Sequence, residues 1–412
     1  MRVVMSFVCG MLLVGFSARA DNWPRFRGSN GQGAGEAPQM PNQWTAKDWL
    51  WRISLPGTGH SSPAIWDGRV FVTSADEAAG KRYLVCIDAG TGKILWQRDF
   101  PLKPYRHHAE NNAATATPAV DESGVYVAWL DPEKYLLMGF DHEGKDLWSV
   151  DLGPFKSQHM NGSSPIVVGQ RVVMAVDQDV VDAGFVIAVD HKTGQTQWKT
   201  PRRSDNAASS TPCIYESPGQ PPQIILTNRT EGILSLDAAT GRRLWSMPET
   251  LPFRSVASPV AGDGVVLGNC GEGASNRTLS AVRPPGKPDD KPVLAWQIKT
   301  MTAPYVPTPL IVGPRVFLLT DTGQVSCVEL ASGKVLGQGK IPNVGPGFYG
   351  SMVCLNDRLV CITRKGEVIV LSADKLEVLG RTSLDEATFA TPAVAGGRVY
   401  FRTLTKLACI GK

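Results

Sequence analysis

The chain has 412 residues, of which 42% are hydrophobic and 19% are charged. This hydrophobic fraction excludes wholesale disorder, and the length is sufficient for a large buried core. The 42 Lys and Arg residues nearly balance the 38 Asp and Glu residues, so the net charge of +4 does not favour a nucleic-acid-binding surface. The 42 glycines and 30 prolines indicate short elements joined by many turns.

Residues 1–20 have the layout of a secretory signal peptide. Arg2 is followed by an apolar run over residues 3–16, and an Ala-Arg-Ala cleavage sequence ends at Ala20. The run is too short to cross a bilayer, so we expect a cleaved peptide and a mature chain without a transmembrane segment. Because Cys9 lies inside the run and not after it, we expect no lipid anchor. The sequence therefore predicts a periplasmic or secreted protein.

The rest of the chain is organised by a repeat. A Ser or Thr followed by Pro, then by apolar residues, recurs every 40 to 55 residues. Three more short apolar runs follow each pair, with a turn of the type Asp-x-x-Thr-Gly before the last run. The eight starts, one without Pro, are Ser62-Pro63, Thr117-Pro118, Ser164-Pro165, Thr211-Pro212, Ser258-Pro259, Thr308-Pro309, Ser351-Met352 and Thr391-Pro392. The last run carries Trp96, Trp148, Trp198, Trp245 or Trp296, whereas copies six and seven have Leu336 and Leu379 near that place.

Four short runs in each of eight copies predict an all-β fold, an eight-bladed β-propeller with four-stranded antiparallel blades. A Trp at one fixed place per copy can bury a large surface between neighbouring blades. The last copy ends after its third run, whereas Trp49–Ile53 resembles a fourth run, so we expect this N-terminal strand to complete the last blade and close the ring. The predicted organisation is a signal peptide at 1–20, an N-terminal arm at 21–47 and one propeller at 48–412.

Seven cysteines remain after the signal peptide. Cys86, Cys327 and Cys409 share one apolar position of the repeat, so we expect them to be core thiols. Cys354 and Cys361 flank a tight turn that would place Cys354 opposite Leu359, and a disulfide between them is therefore not expected.

The ending Asp-x-x-Thr-Gly-x-x-x-Trp resembles the tryptophan-docking repeat of the pyrroloquinoline quinone (PQQ) propeller superfamily, over nearly all of residues 48–412. The Trp-Pro-Arg-Phe-Arg-Gly sequence at 23–28 also resembles the opening of exported bacterial propellers of this class. The resemblance implies one of two activities. One is a calcium- and PQQ-dependent dehydrogenase of an alcohol or sugar. The other is a non-catalytic propeller similar to the lipoprotein of the outer-membrane barrel assembly machinery.

The loops that enter the first strand of each blade should converge at one mouth of the central channel. One interpretation is a ligand-binding site in which histidines and amides supply hydrogen bonds, Arg254 binds a carboxylate or phosphate, and aromatic rings stack. A second is a metal site at His107, His108, His159 and Glu110. The third, which we favour, is a hydrated channel lined by amphipathic side chains or a rim that binds another protein. His142 and His191 are predicted to be solvated in outer turns. The candidate residues are His60, His107, His108, Glu110, Asn112, His159, Asn161, Asn206, Arg254, Tyr305 and Tyr349.

From these features we predict a non-catalytic, monomeric scaffold that binds envelope proteins or an envelope polymer and no nucleic acid. The larger dehydrogenases of the superfamily carry an adjacent Cys-Cys pair, which this chain lacks. The prediction therefore includes no catalytic residue, no resident metal and no cofactor. The alternative is the dehydrogenase, for which PQQ and Ca²⁺ would be required.

Overall fold

The computed structural model describes residues 22–103, 107–131, 133–160, 162–273, 275–287, 290–345 and 347–411. These residues form 33 strands and two 3₁₀ helices, Ser29–Gly31 and Pro248–Thr250. Neither of these short helices has the length and apolarity needed to cross a bilayer. The predicted signal peptide, residues 1–20, lies outside the described residues.

The strands are arranged as eight blades, each with its first strand innermost. Strands β1 (Ala34–Gly35) and β2 (Trp51–Ser54) precede blade one. Blades one to four consist of β3 (Ala64–Trp66), β4 (Arg69–Asp76), β5 (Lys81–Asp88) and β6 (Ile94–Pro101); β7 (Ala119–Val120), β8 (Val125–Leu130), β9 (Tyr135–Phe140) and β10 (Asp146–Asp151); β11 (Ile166–Val168), β12 (Arg171–Val176), β13 (Gly184–Asp190) and β14 (Thr196–Arg202); β15 (Cys213–Tyr215), β16 (Gln223–Asn228), β17 (Gly232–Asp237) and β18 (Arg243–Met247).

Blades five to eight follow the same plan. They consist of β19 (Val260–Gly262), β20 (Val265–Glu272), β21 (Ser275–Arg283) and β22 (Val293–Ile298); β23 (Leu310–Val312), β24 (Arg315–Leu319), β25 (Gln324–Glu329) and β26 (Val335–Lys340); β27 (Val353–Leu355), β28 (Arg358–Ile362), β29 (Glu367–Ser372) and β30 (Val378–Ser383); and β31 (Ala393–Ala395), β32 (Arg398–Arg402) and β33 (Lys406–Gly411), with β2 as the fourth strand of blade eight.

The ring is closed by the N-terminal strand. Strand β2 pairs antiparallel with β33, so that Trp51 lies opposite Cys409 and Ser54 opposite Lys406. The first part of the chain thus supplies the outer strand of the last blade. The predicted eight-bladed propeller and its mode of closure are both confirmed.

The Ser and Thr residues that begin the repeats form a closed belt of hydrogen bonds around the channel. The backbone N–H of each residue donates to the hydroxyl of the equivalent residue in the next blade, as from Ser62 to Thr117 Oγ1 at 2.9 Å. The Thr391 N–H donates to Ser62 Oγ at 3.0 Å and completes the circle. The belt residues are Ser62, Thr117, Ser164, Thr211, Ser258, Thr308, Ser351 and Thr391.

Outer-strand tryptophans of five blades dock on a turn glycine of the next blade. Trp96 Nε1 donates to the His142 carbonyl at 2.8 Å, and a methyl group added to Gly144 would lie 2.9 Å from the Trp96 ring. This glycine has a φ of 82°, so its lack of a side chain serves both the turn and the docked ring. The same pairing joins Trp51 to Gly92, Trp148 to Gly194, Trp198 to Gly241 and Trp296 to Gly333. Trp245 differs, since its Nε1 donates to Gln223 Oε1 of its own blade at 3.0 Å.

Blades six and seven have glycine where the other outer strands have tryptophan. The strand register places Gly337 opposite Cys327 and Gly380 opposite Val370, whereas Leu336, one residue earlier, is 52% exposed. Other parts of the chain occupy the space left by the missing rings. The Asn42 backbone of the N-terminal arm lies against Gly380. Leu376, at the place of the turn glycine, lies beside Gly337.

Residues 22–36 run inside the central channel, and we call this segment the channel plug. The backbone of Trp23 pairs with that of Ile65 in blade one, at 2.9 and 2.8 Å. The Asn30 side chain makes two hydrogen bonds of 2.7 Å with the Ile214 backbone in blade four. Strand β1 adds to β27 of blade seven in parallel. The plug therefore satisfies backbone groups of inner strands that would otherwise face the channel.

Two arginines of the plug are buried in the channel. Arg25 donates to the Pro212 carbonyl at 2.9 Å, and Arg27 donates to the Met352 carbonyl at 3.1 Å and the Pro309 carbonyl at 3.0 Å. No carboxylate of the described residues forms an ion pair with either one. Burial lowers the pKa of Arg25 to about 10 and that of Arg27 to about 9, so both remain charged at neutral pH.

The cysteines agree with the expectation from the repeat. Cys354 lies opposite Leu359, and the seven cysteines of the described residues are buried free thiols. Burial raises the pKa of Cys86 to about 12. These thiols are therefore protonated and unreactive at neutral pH.

The belt gives a prediction about stability. Thr211→Val removes the acceptor of the buried Ser164 N–H, which lies 3.1 Å from Thr211 Oγ1. An unpaired buried donor costs about 1–3 kcal/mol, so we expect a loss of this size in the free energy of unfolding measured in urea. Thr211→Ser keeps the hydroxyl and serves as the control. Equal losses in the two variants would show that the methyl group, and not the belt, stabilises this position.

Ring closure gives a second prediction. Deleting residues 22–55 removes the plug and β2, and leaves β33 as an open edge. We expect this variant to lose cooperative thermal unfolding followed by circular dichroism. Deleting only residues 22–36 keeps β2 and the belt, and should lower the melting temperature while the transition stays cooperative. An unchanged melting curve for the 22–55 deletion would refute the role of β2 in closure.

Candidate functional site

A cavity of about 440 Å³ occupies the channel between the plug and the blade-entry loops. The eight belt residues line its wall, and Phe26 lines it from the plug. Each of the eight entry loops contributes at least one side chain. These contributions include His60, Glu110, His159, Ser209, Arg254, Tyr305, Tyr349 and Phe389.

The structure brings most of the predicted site residues to this cavity. Its lining includes His60, His108, Glu110, His159, Arg254, Tyr305 and Tyr349. His107 is directed to Glu77, with its Nε2 3.0 Å from Oε1. Asn112 is buried in the loop itself, where its Nδ2 donates to Thr58 Oγ1 at 2.8 Å. Asn206 is not part of the cavity lining, and Asn161 lies outside the described residues.

Glu110 crosses the channel mouth from the loop between blades one and two. Its carboxylate forms an ion pair with Arg364 of blade seven and accepts the Tyr349 hydroxyl at 2.5 Å. The Arg364 guanidinium also lies over the Tyr349 ring, 4.4 Å from its centroid. The negative charge of Glu110 is therefore paired with the Arg364 cation, and its carboxylate also accepts a hydrogen bond from the Tyr349 phenol.

Two important residues of the site were not among the candidates. Arg364 follows β28 and lies in no entry loop, so a search restricted to those loops omitted it. Phe389 lies in the last entry loop, and its ring stacks on His60 with a centroid separation of 4.4 Å. Phe389 lies two residues before the belt residue Thr391, and this position in an entry loop is the sequence feature that indicates a place at the cavity.

Two of the cavity histidines, His60 and His159, are held in the neutral form. Burial and the Arg402 charge lower the pKa of His60 to about 3. Burial, followed by the Arg254 and His108 charges, lowers the pKa of His159. At neutral pH both imidazoles can donate and accept hydrogen bonds but carry no charge.

The hypothesis of a metal site at the histidine cluster does not fit the geometry. The His108 and His159 rings are 5.0 Å apart, but His107 is bound to Glu77 and Glu110 is bound to Arg364. Among the described residues, the one group of His, Cys, Asp or Glu side chains close enough to share an ion is Asp121, Glu122 and His191, away from the cavity. Its most buried carboxylate, Asp121, already accepts from Tyr126 at 2.9 Å.

The prediction that His191 is solvated was wrong. The side chain is 2% exposed, and Nδ1 lies 2.6 Å from Asp121 Oδ2. His142 is half-buried, with Nε2 2.8 Å from the Asp121 carbonyl oxygen. Both residues follow the repeat Asp, but the Trp of the preceding blade docks on their carbonyls and draws these turns into the interface between blades.

The oxygen donors of the cavity do not fit the calcium ion of a quinone dehydrogenase. Ca²⁺ takes six to eight oxygen ligands, with carboxylates and amides prominent among them. The described lining contains one carboxylate, Glu110, and one side-chain amide, Asn111. Glu110 is paired with Arg364, and Asn111 Nδ2 donates to the His159 carbonyl. We therefore derive no chemical step through calcium or quinone.

The low pKa of His60 predicts how acid affects stability. Below its ordinary pKa of 6.5 the unfolded chain takes up a proton at His60, whereas the folded protein does so only near pH 3. The free energy of unfolding should therefore fall between pH 6.5 and pH 3, and His60→Gln should make that fall shallower. Urea unfolding across this range measures the slope. His108→Gln, at an exposed position, is the control, and identical slopes for wild type and His60→Gln would refute the assignment.

Comparison with known proteins places this geometry in a family. The family model described as outer membrane protein assembly factor BamB matches residues 45–217, 220–346 and 321–409. BamB from Yersinia pestis is 23% identical over 277 residues, which are 63% of this chain and 66% of that protein. The quinohemoprotein alcohol dehydrogenase ADH-IIG from Pseudomonas putida is 26% identical over 157 residues, but the match spans only 20% of that enzyme and 37% of this chain.

Solved structures show the same fold at low identity. BamB from Moraxella catarrhalis superposes with a TM-score of 0.62 at 15% identity, covering 88% of this chain and 97% of the other. Quinohemoprotein alcohol dehydrogenase from Comamonas testosteroni superposes with a TM-score of 0.65 at 13% identity, covering 95% and 80%. These superpositions establish the fold alone. Since the family model covers most of the repeat region, the chain belongs to the BamB family of PQQ-like β-propellers.

Proposed function

We propose that this protein is a non-catalytic binding propeller of the cell envelope, which presents its loop face to another envelope protein or to an envelope polymer. The observation that carries the proposal is the state of Glu110, the carboxylate of the described cavity lining. Its pairing with Arg364 and Tyr349 makes it a structural bridge across the mouth and not a base or a metal ligand.

The surrounding scaffold suits recognition. The belt fixes the inner strands and the docked tryptophans hold outer strands of most blades, while the entry loops differ from blade to blade on that frame. The similarity to the Yersinia relative, an outer membrane protein assembly factor, supports the same role. The signal-peptide layout of residues 1–20 supports export to the envelope.

The alternative is a PQQ- and calcium-dependent dehydrogenase of an alcohol or sugar. The partial match to the Pseudomonas enzyme favours it. The oxygen ligands available in the cavity argue against a calcium ion there, because the Glu110 carboxylate is already paired with Arg364.

In-cell photo-cross-linking tests the scaffold role. A photo-reactive residue at Ala109 or Gln158, both exposed at the channel mouth, should capture one defined envelope component, because the loop face is the proposed contact surface. The same residue at Gln97, exposed on outer strand β6, is the matched control and should capture none. Equal capture at the three positions, or capture at Gln97 alone, would refute the loop-face assignment.

The dehydrogenase gives a different result in a separate measurement. Titrating the mature protein with PQQ, with and without Ca²⁺, should produce no calcium-dependent thermal shift and no dye reduction if the scaffold proposal is correct. A saturable, calcium-dependent shift accompanied by dye reduction with alcohols or sugars would replace the scaffold with the enzyme.

A further inference from the structure

Arg254 is a cation of the cavity that forms no ion pair with a carboxylate of the described residues. Its Nε donates to the Ala207 carbonyl at 3.0 Å, which fixes the plane of the guanidinium. The two terminal nitrogens have no hydrogen-bond acceptor among those residues. Burial lowers the pKa of Arg254 from 12.5, but an arginine beginning so high stays charged at neutral pH.

The cavity itself shows what an arginine and a tyrosine bind in this environment. At the mouth, Arg364 and Tyr349 together hold the Glu110 carboxylate. Arg254 and Tyr305 offer the same two groups from the entry loops of blades five and six. Burial raises the pKa of Tyr305, with the Arg254 charge opposing that rise, so the phenol keeps its proton and can donate.

Three further arginines are buried around the channel. Arg25 and Arg27 of the plug are bound to carbonyl oxygens, and Arg402 donates to the Ser61 carbonyl at 3.2 Å and to the Ser74 hydroxyl at 2.9 Å. All three are buried and charged, and the dielectric of the interior is low. The Asp179 charge opposes the lowering of the Arg254 pKa, but its carboxylate oxygens already accept two backbone N–H groups, each at 2.7 Å. The buried arginines together still favour an anion in the cavity.

The belt supplies further donors beside Arg254. Ser258 Oγ accepts the Thr211 N–H at 2.9 Å, and Thr308 Oγ1 accepts the Ser258 N–H at 3.1 Å. A hydroxyl that accepts in this way still has its own proton to donate. Both residues line the cavity with Arg254, so a carboxylate bound there would meet several donors.

We propose that the cavity binds a small carboxylate-bearing molecule through Arg254 and Tyr305. A planar guanidinium binds a carboxylate through two parallel hydrogen bonds, which a phenol and the belt hydroxyls complete. The cavity of about 440 Å³ falls within the size range of small-molecule sites. The rings of Tyr305, Tyr349 and Phe389 also line it and suit an aromatic or otherwise flat ligand. This site goes beyond the scaffold role and does not depend on it.

Benzoate and its neutral isostere benzamide test the proposal by isothermal titration calorimetry at constant ionic strength. Benzoate should bind saturably and at least about tenfold more tightly than benzamide, because charge-assisted hydrogen bonds of this kind change affinity by about ten- to a hundredfold. Arg254→Gln should weaken benzoate binding by about the same factor, and Tyr305→Phe should weaken it less. Arg203→Gln is the matched control, since Arg203 is 71% exposed, and it should leave binding unchanged.

Several results would overturn the proposal. These are equal binding of benzoate and benzamide, no saturable binding of benzoate, or unchanged binding in Arg254→Gln. Saturable binding of inorganic phosphate without benzoate binding would refute the carboxylate assignment. The melting curve of unliganded Arg254→Gln shows whether that variant is folded. Tyr305→Phe keeps the hydrogen bond from Arg254 to the Ala207 carbonyl, so it tests the site even if Arg254→Gln does not fold. Cross-linking from Ala109 and Gln158 does not depend on Arg254 or Tyr305. A failed cross-linking experiment therefore refutes the scaffold role alone, and a failed titration refutes the carboxylate site alone.

Discussion

The structure depends on one kind of interaction, the hydrogen bond from the N–H of a belt residue to the hydroxyl of its counterpart in the next blade. Each inner strand is the edge of its sheet, and the N–H of the belt residue just before it would otherwise remain unpaired in the channel wall. The bond from Thr391 to Ser62 makes the set circular, so no blade lacks a partner on either side. This explains why Ser351 is present in the one repeat start without proline: the hydroxyl is required for the belt, whereas the proline only begins a strand.

The outer half of the ring is stabilised by tryptophan rings that pack against turn glycines of the next blade. A tryptophan docks where the next turn has glycine, as Trp96 does on Gly144. Where Gly337 replaces the tryptophan, the following turn no longer needs glycine, and Leu376 occupies that place even though its φ is 58°. A non-glycine residue in this conformation carries strain, and the Leu376 side chain lies beside Gly337. In blade seven the N-terminal arm covers Gly380, so the arm stabilises the ring from outside as well as from within the channel.

The sequence was sufficient for the features that repeat. Strand number, ring closure by the segment around Trp51 and the gathering of entry loops at one mouth all follow from periodicity, because equivalent residues occupy equivalent places in a ring. The remaining features arise once in the chain. Arg27 binds backbone carbonyls of Met352 and Pro309, and a carbonyl partner has no signature in residue type. Glu110 meets Arg364 across 254 positions of sequence, and a single sequence gives no means of pairing them. His191 was misplaced because the turn residue after the repeat Asp was assigned to solvent without allowing for the docked Trp148.

The plug connects the architecture to the chemistry of the cavity. A propeller channel with exposed inner strands on all sides would be open and wet from end to end. Residues 22–36 pair with those strands, and Phe26 then lines the cavity from within the channel. The same segment buries Arg25 and Arg27, whose charges are stabilised only by carbonyl dipoles among their hydrogen-bond partners. A buried cation without a counter-ion is costly, so any molecule that brings negative charge into the cavity recovers part of that cost. The segment that closes the channel thus also contributes to the positive charge that would favour an anion at the proposed site.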